Sequence, residues 1–184
     1  MDIFAHTLWA AAGARGLNAA KGKKVSTVGW TALFGVAPDF FAFGLPFLSL
    51  FGYLITGRIS WSDIANNHHL VPSFELAPIL YQYSHSLVIW AAVFALVWII
   101  RKKPWLPLLG WALHILIDIP SHSIDFYPTP FLFPISDYRF PYGIEWSNQW
   151  YMIINYSALF IIFGGMLVYR WKKRKEARAY LESK

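Results

Sequence analysis

The chain contains no cysteine, which excludes disulfides and thiolate metal ligands together. Any metal site must then be built from histidine and carboxylate, a donor set that suits Zn²⁺, Mn²⁺ or Fe²⁺ better than Cu⁺. Charge is scarce as well. Asp, Glu, Lys and Arg make up 14% of the 184 residues, where an ordinary soluble domain carries about 25%. Lys and Arg are missing altogether from three hydrophobic runs, 25–56, 84–100 and 105–119, so a carboxylate inside them has no basic neighbour along the chain. The N-terminus begins Met1-Asp2 with no basic stretch before its apolar residues, and no cleavable signal peptide is expected.

What is present is hydrophobic. Apolar residues account for 57% of the chain and aromatics for 19%, and mean hydropathy is +0.40. A soluble domain of this size has no interior large enough for that surface, and the composition points to an integral membrane protein. The net charge of +6 does not indicate nucleic acid, because the basic residues collect at the ends of apolar segments, where they set topology.

The runs 25–56, 84–100 and 149–169 are each about long enough to span a bilayer. The run 105–119 is shorter and joins its predecessor through Arg101-Lys102-Lys103-Pro104, which reads as the returning arm of a helical hairpin. The expectation is a single all-α, polytopic domain over 1–184, with four main transmembrane helices, a short N-terminal helix and a basic tail from about 170 to 184. Placing Lys21, Lys23, Lys24, Arg101–Lys103 and Lys172–Arg174 in the cytoplasm gives one consistent path. The C-terminus is then cytoplasmic and segments 57–83 and 120–148 lie outside. Trp146, Trp150 and Tyr151 fit an interfacial belt.

Against this background a few polar residues stand out. His114 and Asp118 lie four apart within 105–119, on one helical face. Asp39 lies within 25–56, His85 heads 84–100, and His6 falls in the N-terminal segment. A carboxylate in hydrocarbon costs roughly 3 kcal/mol on insertion scales, so it persists only with a partner or a function. At about 1.5 Å per helical residue, His114 lies roughly 14 Å from the cytoplasmic end, Asp39 and Asp118 roughly 20 Å, His6 roughly 22 Å and His85 roughly 24 Å. Residues from four segments thus converge between the midplane and the outer face.

Each has a plainer explanation. His114–Asp118 can be an intrahelical hydrogen bond that locks a helix interface, with Gly110 admitting a neighbouring helix. His85 can cap its helix beside Ser84, the better N-cap of the Tyr83-Ser84 pair. Pro38 is expected to break or kink its run, and Asp39 can cap the second half. Taken together, a bound cation is the favoured reading. His122 extends the pattern to His-x3-Asp-x3-His, although Pro120 is expected to push Ile119 out of helical geometry. His68 and His69 read as solvated. Glu75 and Glu145 are general bases by type only.

The order His6, Ala37-Pro38-Asp39, Ser84-His85-Ser86, Gly110-x3-His114-x3-Asp118, with the later Pro128-Thr-Pro-Phe-Leu-Phe-Pro134-Ile-Ser136, resembles the bacterial family of membrane-bound metal-dependent hydrolases. Some of its members are described as LexA-regulated inner-membrane proteins. The chain is more distantly similar to zinc-dependent phospholipase C and the single-strand nucleases of that fold, which also use a His-x3-Asp pair; His122 would match their next histidine. The resemblance implies an inner-membrane protein with a metal centre of His6, Asp39, His85, His114 and Asp118, and hydrolysis by a metal-activated water.

The expectation is therefore a zinc-dependent hydrolase acting on a lipid phosphoester or ester. Its ligands would line a polar cavity open to the outer face, under a proline-rich cover of 120–148. Asp39 and Asp118 are the candidate catalytic carboxylates, with Asp39 as general base. A proton or metal-ion transporter would also place Asp and His in the membrane, but the cytoplasmic halves of these runs hold almost no polar residues. A non-catalytic membrane protein would keep His114–Asp118 as an interhelical pair.

Overall fold

The computed structural model describes residues 1–66 and 71–182, and these contain helix but no strand. His68 and His69 lie outside the described residues. The chain forms two compact units, Met1–Trp146 and Ser147–Lys184.

Helix α1 (Ile3–Ala20) starts at Asp2, whose carboxylate accepts from the Phe4 and Ala5 amides at 3.1 and 3.0 Å. It buries Ala5, His6, Ala10, Ala12 and Ala14. The turn that follows is held by one side chain. Asn18 Oδ1 accepts from the Val25 and Ser26 amides at 2.8 and 2.9 Å, and its Nδ2 donates to the Ser26 carbonyl at 2.8 Å.

Helix α2 (Val28–Ile55) runs without a break through Pro38 and Pro46; of the expected break or kink at Pro38, the break does not occur. A proline deprives the helix of one hydrogen bond, but protein neighbours can satisfy the groups exposed around it. Here the Gly35 carbonyl, next to the one that Pro38 frees, bonds His114 Nδ1 at 2.7 Å. Asp39 therefore caps no half-helix.

Helix α3 (Trp61–Asn66) and a 3₁₀ turn (Pro72–Leu76) precede α4 (Ala77–Ser84) and α5 (Leu87–Arg101). The expected run 84–100 is thus the one helix α5, starting at Leu87 and set at 62° to the helical segment Pro72–Ser84 that precedes it, with the bend at His85 and Ser86. Ser86, not Ser84, caps α5, accepting from the Val88 and Ile89 amides at 3.1 Å each. The same hydroxyl donates to the Phe133 carbonyl, and the Leu87 amide donates to the Phe131 carbonyl at 3.0 Å. The proline-rich segment therefore anchors on the bend.

Lys102, in the left-handed region at φ 56°, stops α5. A 3₁₀ turn (Leu106–Leu108) then leads into α6 (Leu109–Ser121). Trp90 Nε1 on α5 donates to the Leu108 carbonyl at 2.9 Å, closing the expected hairpin. Helix α6 continues through Pro120 to Ser121, so the predicted distortion at Ile119 does not occur. With 13 residues it is about 20 Å long, short of the roughly 30 Å of a hydrocarbon core.

Helix α7 (Gln149–Glu182) carries the basic tail as continuous helix. Among the described residues α2 and α7 are long and apolar enough to cross a membrane, and the bent pair ending in α5 makes a third span if counted as one. Four full spans are not reached. No residue of α5 is buried, and Leu96, Trp98, Ile99 and Ile100 are exposed, as a lipid-facing helix requires.

The helices α1, α2 and α6 meet at residues without bulk. A Cβ on Gly35 would come within 2.9 Å of the His6 carbonyl oxygen and press on the Ala10 Cβ. A Cβ on Gly110 would collide with the Thr31 carbonyl oxygen. Backbones this close are the usual consequence of small residues at membrane helix crossings. Gly110→Ala should lower stability in detergent by about 1–3 kcal/mol, read as a fall in the thermal midpoint. Gly16→Ala, which faces open space on α1, should not lower it.

Candidate metal centre

Four of the expected ligands come together where α2, α6 and the α4–α5 bend meet. Asp39, His85, His114 and Asp118 each offer one ligand atom, and these atoms all lie within 4.8 Å of one another. His114 Nε2 is 2.9 Å from His85 Nε2, 3.1 Å from Asp118 Oδ2 and 3.7 Å from Asp39 Oδ1. His85 Nε2 is 3.4 Å from Asp39 Oδ1 and 3.5 Å from Asp118 Oδ2. A tetrahedron of zinc–nitrogen and zinc–oxygen bonds near 2.1 Å has edges of about 3.4 Å. Five of the six edges here lie between 2.9 and 3.7 Å, so the donor set fits a divalent ion.

The ring orientations fit as well. A carbonyl only accepts, so His114 Nδ1 donates to Gly35, and in the neutral ring its Nε2 presents a lone pair to the cluster. His85 Nδ1 lies 2.9 Å from Ser84 Oγ, whose hydroxyl can donate onward to the Tyr81 carbonyl at 3.4 Å. With Ser84 as acceptor, His85 Nε2 is also a bare lone pair. Two such nitrogens 2.9 Å apart repel unless a proton or a cation lies between them. Anchoring the outer nitrogen on a backbone or hydroxyl oxygen is how ligating histidines are held.

Burial sharpens the requirement. His85, His114 and Asp118 are fully buried, and the Asp39 side chain is 15% exposed. Asp118 Oδ2 has no hydrogen-bond partner although it is buried. An unpartnered buried carboxylate oxygen is costly, and a metal ion would supply what it lacks.

The remaining expected ligands sit on the other side of Asp118. His6 Nε2 is 2.9 Å from Oδ1 and His122 Nε2 is 3.4 Å from the same atom. The His6 ring packs on the His114 ring with centroids 3.7 Å apart. It is poorly aligned for a hydrogen bond, and both its ring nitrogens are left without one. His122 follows directly on α6 in extended conformation, which lets its ring turn back toward Asp118. All six expected ligands are therefore in one cluster, Asp39, His85 and His114 grouped with Asp118, and His6 and His122 beside Asp118 Oδ1.

One member of the cluster carries no signal in the sequence. The Met1 amino nitrogen lies 2.5 Å from Asp118 Oδ1, 3.1 Å from His122 Nε2 and 3.3 Å from Ser121 Oγ. No residue type marks a backbone nitrogen; only the nearness of His6 along the chain points to it. Glu75 is exposed on the 3₁₀ turn before α4 and Glu145 is half-buried in the proline-rich segment. Neither belongs to the four-ligand group.

The expected polar cavity is not what adjoins the cluster. A cavity of about 800 Å³ reaches Asp39 and His122, but its walls are mostly aromatic. Asp39 thus borders an apolar space, while Asp118 is buried behind it. No family model, curated protein or solved structure matches the chain.

Zinc titrated into the metal-free protein should bind in wild type. His85→Ala and Asp118→Asn should each weaken binding by about tenfold or more, since even changes behind the ligands act on that scale. Asp63→Asn, at an exposed carboxylate bonded to Ser60, should leave the isotherm unchanged.

Proposed function

We propose that the protein is a membrane-embedded, metal-dependent hydrolase of lipid phosphoesters or esters. The observation that carries this reading is the buried group Asp39–His85–His114–Asp118, with near-tetrahedral spacing and an unsatisfied carboxylate oxygen. His85, His114 and Asp118 would hold the ion, with the fourth vertex, beside Asp39, left to water. Catalytic zinc sites keep three protein ligands and leave the fourth position to water. A divalent ion there would acidify a bound water toward a pKa of about 7 and polarise a substrate oxygen. Zinc suits the two-imidazole, two-carboxylate set, and manganese or iron would also accept it.

Asp39 is the most exposed of the four and borders the cavity, so it is the member best placed to act as general base. It takes a proton from water as the water oxygen bonds to the carbonyl carbon or phosphorus of the substrate. The bond from that centre to the leaving oxygen breaks, and the proton passes from Asp39 to the leaving alkoxide. One ester and one water become one acid and one alcohol. His6 and His122 lie beside the far oxygen of Asp118. This reading agrees with the family resemblance and with an inner-membrane location in which the site faces outward.

Asp39→Asn tests the assignment. It should lower kcat on a lipid ester by about 10²–10⁴, the usual weight of a general base, while zinc content stays at the wild-type level. Loss of zinc together with activity would make Asp39 a ligand and remove it as the base.

A further inference from the structure

The cavity beside the metal centre has a direction. Along α2 its wall is formed by Phe40, Phe43, Gly44, Phe47, Leu48 and Phe51. These are spaced i, i+3, i+4, i+7, i+8 and i+11, which is one continuous face of a helix. Phe74 and Tyr127 stand opposite, the first 5.8 Å from the Phe47 ring and the second 5.5 Å from the Phe43 ring, between centroids. The carboxylates, imidazole and amine in the lining, from Asp39, Asp2, His122 and Met1, all belong to the metal-centre end of α2 or to segments that reach it. From Asp39 to Phe51 the helix rises about 18 Å, close to the roughly 15 Å that one leaflet contributes to a hydrocarbon core about 30 Å thick.

We propose that this groove seats one hydrocarbon chain of a membrane lipid along the Phe40–Phe51 face of α2, with the ester or phosphoester at the head of that chain delivered to Asp39. The inference deepens, and rests on, the reading of the cluster as a hydrolytic metal centre. Three observations select this occupant. The volume of about 800 Å³ falls within the range of about 300–1,000 Å³ usual for small-ligand sites. The wall beyond the metal end offers aromatic faces and no charge, so an occupant extending along it must be apolar over that length. The groove is also open along its side, since Leu48 is 72% and Phe51 53% exposed, and a chain can enter laterally from a bilayer.

Gly44 is the one stripe position without a side chain, and it widens the groove in the middle. A Cβ there would meet only Phe40 Cδ1, at 3.9 Å, so a larger residue fits the backbone and fills the channel instead. Because bilayer hydrocarbon is as apolar as the groove, chain burial adds little affinity. The groove acts by orientation, fixing the reacting bond against the cluster.

The test is positional crosslinking of the full-length protein in phosphatidylcholine vesicles, after chelation so that no lipid is consumed. A phospholipid carrying a diazirine at its chain terminus is compared with one carrying it beside the head group. The chain-end probe should label Phe47–Phe51 and the head-group probe the Asp39–Phe43 stretch. Gly44→Trp should reduce chain-end labelling of the stripe several-fold while zinc binding matches wild type, and Gly44→Leu serves if the tryptophan variant does not fold. Labelling spread over α5 and the α2 stripe alike, or unchanged in the folded Gly44 variant, overturns the proposal. The metal reading can fail separately. Ordered labelling in a protein that hydrolyses no lipid supports the groove and removes the hydrolase. Lipid turnover without ordered labelling removes the groove alone.

Discussion

Asp118 is the residue on which the arrangement depends. A fully buried carboxylate in an apolar bundle is unfavourable by several kcal/mol unless its charge is met, and no Lys or Arg in the hydrophobic runs can meet it. Its two oxygens instead divide the surrounding groups. Oδ2 faces His85 and His114, while Oδ1 faces His6, His122 and the Met1 amine. Helices α1 and α6 and the α4–α5 bend each carry at least one of these groups, so the packing of the bundle and the construction of the cluster are one problem. The small residues at Gly35, Ala10 and Gly110 follow from it. They bring backbones close enough for His114 to reach the Gly35 carbonyl and for His6 to lie on the His114 ring.

Much of this is legible in the sequence, for reasons that can be named. His114 and Asp118 are one helical turn apart on a short apolar helix, and helical periodicity alone puts them on one face. Asp39 and His85 are anomalies of composition, and lysine-free hydrophobic runs make such anomalies visible. Helix boundaries are harder. Proline rules written for water exaggerate breaks at Pro38 and Pro120, since α2 and α6 continue through both. The 62° bend at His85 is non-local. It depends on Ser86 capping α5 while the segment around Phe131 and Phe133, some 45 residues away, accepts the remaining hydrogen bonds. The aromatic stripe on α2 obeys regular helical spacing, yet it lies in a helix apolar on every side and so has no contrast to reveal it.

The cluster and the groove impose opposite demands on the same helix. At Asp39, α2 must present a carboxylate to buried imidazoles; one turn later it must present only aromatic surface. The change from one to the other occurs between Asp39 and Phe43, and a substrate whose polar and apolar parts meet at a single ester bond has the same change built in. In an apolar space of this kind electrostatic interactions are stronger than in water, so on the proposed reading an ion beside Asp39, with Asp39 as base, would act on that bond with little competition from solvent.

X-ray absorption at the zinc edge, on protein purified without chelator and supplemented with zinc, examines the central claim most directly. A centre built from His85, His114, Asp118 and Asp39 or water requires near-stoichiometric metal, a first shell of nitrogen and oxygen only at about 2.0–2.2 Å, and outer scattering from two imidazoles. Folded protein that holds no zinc above background, or holds it in a shell without imidazole scattering, would contradict a metal centre at Asp118. The buried histidines and carboxylates would then be a hydrogen-bonded lock between helices.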